Sequence, residues 1–471
     1  MLDKLSTRHG FLEWVRCWHP LTESSDSDLP LKEHKMRIRR SCHGTLLFLA
    51  LMCTISSATA ADWAQFRGAG ASGVSTQSKL PIRFGENENL LWKVALPGAG
   101  SSSPVVFGKK VFVTCYSGYG QSKSEEGDIN SLQRHLVCVD CESGHVLWTK
   151  TIAGEQPEDK YQGYLTDHGY ASNTPVTDGE RVYCFFGKSG VLAFDFSGKQ
   201  LWQTNVGKES SSRRWGSGAS LILYKDAVIV NASEESQSIR ALHKLTGELL
   251  WNETASALNL AYGTPSVITV DDKRSDLVIA VPGEVWGLNP DTGRLRWNAE
   301  HNLTGNICPS VFSQGDEVFI FGGFRSAGSL CLKAGGQGDV TSSVIKWTSR
   351  NSSYVATPVL YEGRLYWIDD RGQAFCADAK NGELVYRERL EDLSSGGRPV
   401  YASPVVAQGL IYVPTRWDGI LVYSAKEKFE ILALNKLPSD QSDFNATPAI
   451  SNNQLFLRSD RFLYCFAEKH P

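Results

Sequence analysis

The residues in this chain best suited to chemistry are aromatic rings and guanidinium groups that recur just upstream of a repeated motif. They suit binding better than catalysis, because Trp, Tyr and Arg supply much of the energy of water-excluded interfaces. The candidate binding residues there are Arg213, Arg214, Trp215, Tyr262, Tyr354, Arg398 and Tyr401, and Trp417 on a predicted hairpin is added to them. The alternative is that each ring only plugs the top of its own structural unit.

Other patterns give weaker support for chemistry. Ser, His and the carboxylates show no spacing typical of a catalytic triad or a nucleophile elbow. Cys138-Val-Asp-Cys141 has the spacing of half a zinc site, but no second such pair and no His pair accompanies it, so we expect no metal. A local disulfide of Cys138 or Cys141, with Cys115 as a partner, stays open for an exported chain.

Length and charge limit the class of protein. The chain has 471 residues, which is long for one compact domain unless the architecture is a repeat or a barrel. A net charge of −3 leaves no basic footprint, so we expect no nucleic-acid partner. With 43 Gly and 13 Trp against 3 Met, the composition indicates many tight turns and a β-rich core.

Residues 1–60 have the pattern of a leader. Met36-Arg-Ile-Arg-Arg supplies a basic region, an apolar stretch follows from Thr45, and the small residues up to Ala60 form a cleavage site. We interpret Met36 as the true start and predict an exported protein, periplasmic or extracellular. No later segment reaches the roughly 18 apolar residues of a membrane span, so none is expected after cleavage.

The rest of the chain repeats itself. The anchor positions of the repeat are Pro104, Pro175, Ala219, Pro265, Pro309, Pro358, Pro404 and Pro448. From Pro175 onward they are 44, 46, 44, 49, 46 and 44 residues apart, and the first gap of 71 holds two inserted loops, 117–135 and 153–170. Each unit has four short β-type runs separated by turns, which predicts a four-stranded antiparallel meander.

Eight such units predict an all-β fold, an eight-bladed β-propeller of four-stranded antiparallel blades over residues 89–471. The final unit has only three strands, and Asn89-Leu-Leu-Trp92 matches the missing fourth. We therefore predict that this N-terminal strand completes the last blade and closes the ring. Residues 61–88 would cross the propeller, with Trp63 and Phe66 as apolar plugs and Arg67 reaching carbonyls or a carboxylate.

The turn between the third and fourth strands carries a signature, as in Asp140-Cys-Glu-Ser-Gly-His-Val-Leu-Trp148. Two residues before the turn, Cys138, Cys331, Cys376 and Cys465 share a column with Ala193, Ala241 and Gly287, which indicates a small buried slot. By this signature the chain resembles the PQQ-like β-propeller repeat family, which includes quinoprotein dehydrogenases and non-catalytic propellers such as the assembly factor BamB.

The resemblance implies two functions. A quinoprotein would hold pyrroloquinoline quinone (PQQ) through adjacent cysteines, a Trp floor, a calcium site of Glu and Asn, and an Asp base. This chain has no adjacent cysteines, and the calcium ligands match no motif, so we expect no cofactor, with PQQ and calcium as the alternative. The favoured function is a non-catalytic binding or scaffolding propeller, with a carbohydrate- or peptide-binding propeller as a further alternative.

Topology predicts where the partner binds. The loops that lead into the innermost strands share one face with the hairpins between second and third strands and with both inserted loops. We call this side the mouth face. All eight candidate residues lie there, so we expect the unknown protein partner, small molecule or sugar to bind there.

Overall fold

The computed structural model of the chain describes residues 62–122, 124–394 and 397–469. The predicted leader, residues 1–60, lies outside these ranges. The described part is an eight-bladed β-propeller of four-stranded antiparallel blades, which confirms the predicted fold class. Its α-helices are single turns, Leu165–His168, Ser233–Ser236 and Thr341–Val344. Among the described residues, none of the helices has the length and apolar character needed to cross a bilayer.

Each blade is numbered in chain order, with its strands from the channel outward. Blades 1 and 2 consist of Val105–Phe107, Lys110–Ser117, Gln133–Asp140 and Val146–Ala153, then Val176–Thr177, Arg181–Phe185, Val191–Asp195 and Gln200–Thr204. Blades 3 and 4 consist of Ile222–Tyr224, Ala227–Ala232, Ser238–His243 and Leu249–Thr254, then Ser266–Asp271, Arg274–Val281, Glu284–Leu288 and Leu295–Glu300.

The second half of the propeller follows the same plan. Blades 5 and 6 consist of Phe312–Gln314, Glu317–Gly322, Gly328–Lys333 and Ile345–Ser349, then Val359–Tyr361, Arg364–Ile368, Gln373–Asp378 and Leu384–Arg389. Blades 7 and 8 consist of Val405–Ala407, Leu410–Pro414, Ile420–Ser424 and Ile431–Asn435, then Ala449–Ser451, Gln454–Arg458, Phe462–Phe466 and, from the N-terminal side, Leu90–Ala95.

Two short strands are added in parallel. Gly338–Asp339 pairs with the outermost strand of blade 4. Val74–Ser75 pairs with the innermost strand of blade 7, at Val406 and Ala407. This second addition places the N-terminal segment inside the channel.

Blades stack through the aromatic residue of the fourth strand. That residue pairs with the predicted small-residue column, as in Trp148 with Cys138, Trp347 with Cys331 and Trp297 with Gly287. A Cβ at Gly287 would lie 2.0 Å from the Trp297 ring, so the slot is small because an indole fills the space above it. The column prediction is therefore confirmed.

The same rings reach the next blade. Trp251 of blade 3 covers the signature Gly293 of blade 4, and its Nε1 donates to Pro290 O at 3.0 Å. Trp92 does the same between blades 8 and 1: it covers Gly144, and its Nε1 donates to Cys141 O at 2.8 Å. Leu90–Ala95 thus has the contacts of an ordinary fourth strand, and its contribution to stability stays a prediction.

The structure corrects two anchor positions. In blades 3 and 5 the residues equivalent to the anchor prolines are Leu221 and Val311, since Ser220 and Ser310 take the place of the Thr before Pro265. Ala219 and Pro309 each lie two residues too early. The error arose because the anchor position was expected to hold a proline or a small residue, whereas blades 3 and 5 have the aliphatic residues Leu221 and Val311 there.

All eight cysteines of the described part are free thiols. The alternative of a disulfide from Cys138 or Cys141 to Cys115 is therefore wrong for this structure. Burial raises the pKa of the Cys138 and Cys141 thiols to about 12, which makes them poor nucleophiles and poor metal ligands at neutral pH.

Candidate functional site

The N-terminal segment contacts the innermost strands of several blades. Trp63 exchanges backbone hydrogen bonds with Val106 of blade 1 at 2.9 Å, and Ala64 O accepts from Thr177 of blade 2. The segment then reaches blade 7 at Val74–Ser75. It therefore contacts the innermost strands of blades 1, 2 and 7, and we call the cavity that its Phe66 helps to line the funnel.

Arg67 anchors this segment. Its fully buried guanidinium donates to Thr357 O and Pro358 O of blade 6 at 2.6 Å, and to Ala71 O and Ser72 O at 3.1 Å. Burial lowers the pKa of Arg67 to about 9, so the group stays cationic at neutral pH. Of the two predicted partner types, the structure shows carbonyls.

The funnel opens on the mouth face and has a volume of about 200 Å³. Four of the candidate residues line it together: Trp215, Tyr262, Tyr354 and Tyr401. Each comes from a different blade boundary, so it is the arrangement of blades around one axis that brings them together. We call these four rings, together with Tyr164 of the second inserted loop, the aromatic wall of the cavity. Phe66 lies at the base.

The aromatic wall is organised around Trp215. Its indole stacks with Tyr262 at a centroid distance of 5.7 Å and a 26° interplanar angle, and meets Tyr164 edge-on at 4.6 Å. Such pairs favour one arrangement of the rings. Trp215, Tyr262 and Tyr164 therefore pack against one another on this side of the cavity.

The arginine candidates stand behind the rings or outside the cavity. Arg398 lies over Tyr354 at 4.4 Å and forms an ion pair with Asp370 at 3.1 Å. Arg213 is exposed and lies over Trp215 at 5.5 Å. Arg214 is exposed and does not line the cavity.

Trp417 lies outside the cavity, with 43% of its surface exposed. Its Nε1 donates to Asp443 Oδ1 at 3.0 Å. Between it and the funnel lies Arg416, which contacts the faces of both Trp417 and Tyr401 and pairs with Asp443 at 2.6 Å. Arg416 thus supports the wall from behind.

The packing alternative holds for two other loop aromatics. Tyr170 is 8% exposed and packs against Tyr119 and Tyr161 of the inserted loops and against Tyr116 at the end of the adjoining strand. Phe444 is 5% exposed and stacks with Tyr464. The position of an aromatic residue in these loops therefore did not predict whether its ring lines the cavity or is buried in packing contacts.

A girdle of hydroxyls around the funnel was missed by the sequence reasoning. Its members are Ser103, Thr174, Ser220, Thr264, Ser310, Thr357, Ser403 and Thr447. From blade 1 to blade 8, the backbone N–H of each member donates to the hydroxyl of the next at 2.9–3.1 Å. The signal was present, since six members directly precede an anchor proline.

A second, smaller cavity of about 30 Å³ lies beside the funnel. Two ion pairs border it, Arg134–Glu158 and Lys188–Asp159. Glu234 and Glu235 each keep one buried carboxylate oxygen without a hydrogen-bond partner in the described part of the chain. Burial raises the pKa of Glu235 to about 7, and its other oxygen accepts from Ser217, two residues after Trp215.

The funnel residues do not fit PQQ and its calcium ion. PQQ carries three carboxylates, yet no Lys or Arg lines the funnel in the described ranges. Phe66 lies across the base, and Glu234 and Glu235 open on the separate smaller cavity. The described residues also contain no group of three or more His, Cys, Asp or Glu side chains suited to a metal ion.

Comparisons with known proteins agree with the architecture. The family profile described as "Outer membrane protein assembly factor BamB" matches residues 133–385 and 334–437. Tetrathionate hydrolase of Acidithiobacillus ferrooxidans is 20% identical over 366 residues, which covers 72% of this chain and 67% of that protein.

Two solved structures share the fold. BamB from Moraxella catarrhalis superposes with a TM-score of 0.55 at 14% identity, covering 80% of this chain and 99% of that one. A europium-containing methanol dehydrogenase gives 0.60 at 12% identity, covering 86% and 98%. With the signature turns, the blade count and the profile match, the chain belongs to the BamB-like family of PQQ-like β-propellers.

Proposed function

We propose that this protein is an exported, non-catalytic propeller that binds a ligand or a partner through the funnel on its mouth face. One observation carries the proposal: Trp215, Tyr262, Tyr354 and Tyr401, which are far apart in sequence, converge on one cavity. A pocket with an apolar aromatic wall and a few polar groups is the usual form of a binding site.

The quinoprotein alternative receives less support. The funnel offers no cationic side chain to the carboxylates of PQQ, and the BamB-like profile matches a type of propeller whose described role is assembly. Export is inferred from the basic, apolar and small-residue regions of residues 1–60.

A pull-down with matched variants tests the function. Immobilised wild-type protein and the Trp215→Ala, Tyr401→Ala double variant are exposed to an extract of exported material. Leu249→Ala is the control, because Leu249 is 55% exposed and begins a fourth strand just after a signature turn, on the opposite face. Circular dichroism checks that all three proteins are folded.

We expect the double variant to lose a captured species that the Leu249→Ala control retains, because only the double variant lacks the Trp215 and Tyr401 rings in the funnel. If the double variant is folded and captures the same species as wild type, the funnel is not the site. Bound PQQ in the purified protein, seen by its absorbance, would favour the enzyme alternative instead.

A further inference from the structure

The funnel lacks a partner for a negatively charged ligand. The only side chains lining it that carry a full charge within the ordinary pH range are Asp167 and His168, for the part of the chain that is described. Burial lowers the pKa of His168, which favours the neutral imidazole. Asp167 lies 3.4 Å from Arg416 Nη2, so its charge is already compensated.

Three arginines lie close to the wall, and none of them lines the cavity: Arg213 is exposed above the Trp215 ring, and two others are paired. Arg398 is directed to Asp370, and Arg416 to Asp443 and Asp167. Both guanidinium groups lie over tyrosine rings of the wall rather than in the cavity lining. An anionic ligand would lose its hydration without gaining an ion pair, which is costly.

The hydroxyl girdle instead provides neutral hydrogen-bonding groups. Seven of its hydroxyls accept a backbone N–H from the preceding blade, as Thr264 Oγ1 does from Ser220 at 2.9 Å. A hydroxyl that accepts in this way still has its own proton to donate. Because all eight line the same cavity, they surround a ligand with neutral donors on every side.

The wall above the girdle is apolar and flat. Trp215, Tyr262, Tyr354, Tyr401 and Tyr164 surround the upper cavity, and Phe66 covers its base. The ligand best matched to this arrangement has apolar C–H faces for the rings and a hydroxylated edge for the girdle. The volume of about 200 Å³ accommodates one such ring.

We propose that the funnel binds an uncharged sugar ring, as a free saccharide or as the end of a glycan chain. This rests on the proposed binding function and names its ligand class. A peptide or protein loop has different chemistry and is an outcome of the test.

Binding assays with defined saccharides test the ligand class. An array of neutral and acidic glycans is screened first, and the best neutral glycan is then titrated by calorimetry against its matched uronic acid. The variants are Trp215→Ala for the wall, Thr264→Val against Thr264→Ser for the girdle, and Leu249→Ala as the control on the opposite face.

We expect a neutral glycan to bind, and its uronic acid to bind at least about tenfold more weakly. Trp215→Ala should weaken neutral binding by about tenfold or more, since stacking is lost. Thr264→Val should weaken it while Thr264→Ser retains it, because only the latter keeps the hydroxyl. Leu249→Ala should bind as wild type does.

Two results overturn the ligand class. One is preferential binding of the acidic glycans. The other is no glycan binding by a protein whose pull-down still depends on Trp215 and Tyr401; the binding function would then stand with a peptide or protein ligand. If the pull-down also fails to depend on them, the proposed function fails as well.

Discussion

Replacing Trp92 with alanine tests whether the strand Leu90–Ala95 closes the propeller. Trp92 is 8% exposed, pairs with Cys465 of blade 8 and covers Gly144 of blade 1. A Cβ at Gly144 would lie 2.7 Å from its ring, so indole and glycine are in direct contact. The substitution opens a cavity at the boundary between blade 1 and blade 8, whose four strands come from both the first and the last part of the described chain.

The expected cost follows from the burial. Removal of a buried Trp or Phe side chain costs about 3–5 kcal/mol, including the cavity left behind. The hydrogen bond from Nε1 to Cys141 O, at 2.8 Å, is part of that loss at about 1 kcal/mol. We expect Trp92→Ala to lower the free energy of unfolding by about 3–5 kcal/mol.

Two variants calibrate this value. Trp251 is also 8% exposed and makes the same contacts between blades 3 and 4, so Trp251→Ala should cost as much. Leu91 is 40% exposed in the same strand as Trp92, so Leu91→Ala should stay within about 0.5 kcal/mol of wild type. Midpoints of urea unfolding, followed by circular dichroism, compare the three.

One pattern of unfolding midpoints would show that Leu90–Ala95 does not close the ring. If Trp251→Ala lowers the midpoint while Trp92→Ala behaves like Leu91→Ala, the N-terminal strand is loosely held and does not close the ring. Equal shifts for the two tryptophans would establish that the closing boundary is as strong as an internal one.

Three further predictions concern buried polar and small side chains. Arg67→Met should lower the free energy of unfolding by about 3 kcal/mol or more, because four carbonyl oxygens lose their donor. Arg83 is exposed, so Arg83→Met should be close to neutral, and the midpoints of urea unfolding compare the two variants. Cys376→Ala should cost about 1 kcal/mol, but Cys376→Leu should cost more because Tyr386 fills the space opposite; a neutral Leu variant would contradict the slot. Burial raises the pKa of Glu235 from 4.5 to about 7, so the folded protein binds the proton more tightly and stability falls as the pH rises through that window. At about 1.4 kcal/mol per pH unit the loss is roughly 3 kcal/mol. Glu235→Gln should flatten the melting temperature between pH 5 and 7.5, and an unchanged slope would exclude this group as its source.

The repeat in the sequence was sufficient to predict the architecture. Turn glycines, outer-strand tryptophans and small residues such as Cys331 recur at fixed spacing, because every blade must solve the same packing problem. Because the same packing contacts recur in every blade, the residues that make them recur along the sequence, and so the number of blades and the order of their strands were predictable. The two anchor errors, at Ala219 and Pro309, occurred where an aliphatic residue replaces the proline.

The candidate site was only partly predictable. The sequence identified Trp215, Tyr262, Tyr354 and Tyr401 as loop aromatics, but it gave no means to separate them from Tyr170 and Phe444, which are buried as plugs. Whether a ring faces the channel depends on the loop around it. That is a property of local backbone direction rather than of spacing.

Only the tertiary structure decided what surrounds those rings. The base of the funnel is Phe66, which precedes the first blade in sequence, and Arg67 beside it is held by carbonyls of blade 6, 290 and 291 residues away. Of the arginines expected in the site, Arg398 pairs with Asp370 behind the wall, and Arg213 and Arg214 are exposed, so no arginine or lysine of the described residues lines the cavity. These contacts join residues with no periodic relation to one another, and they form only once the propeller has brought its blades and its N-terminal segment to one axis.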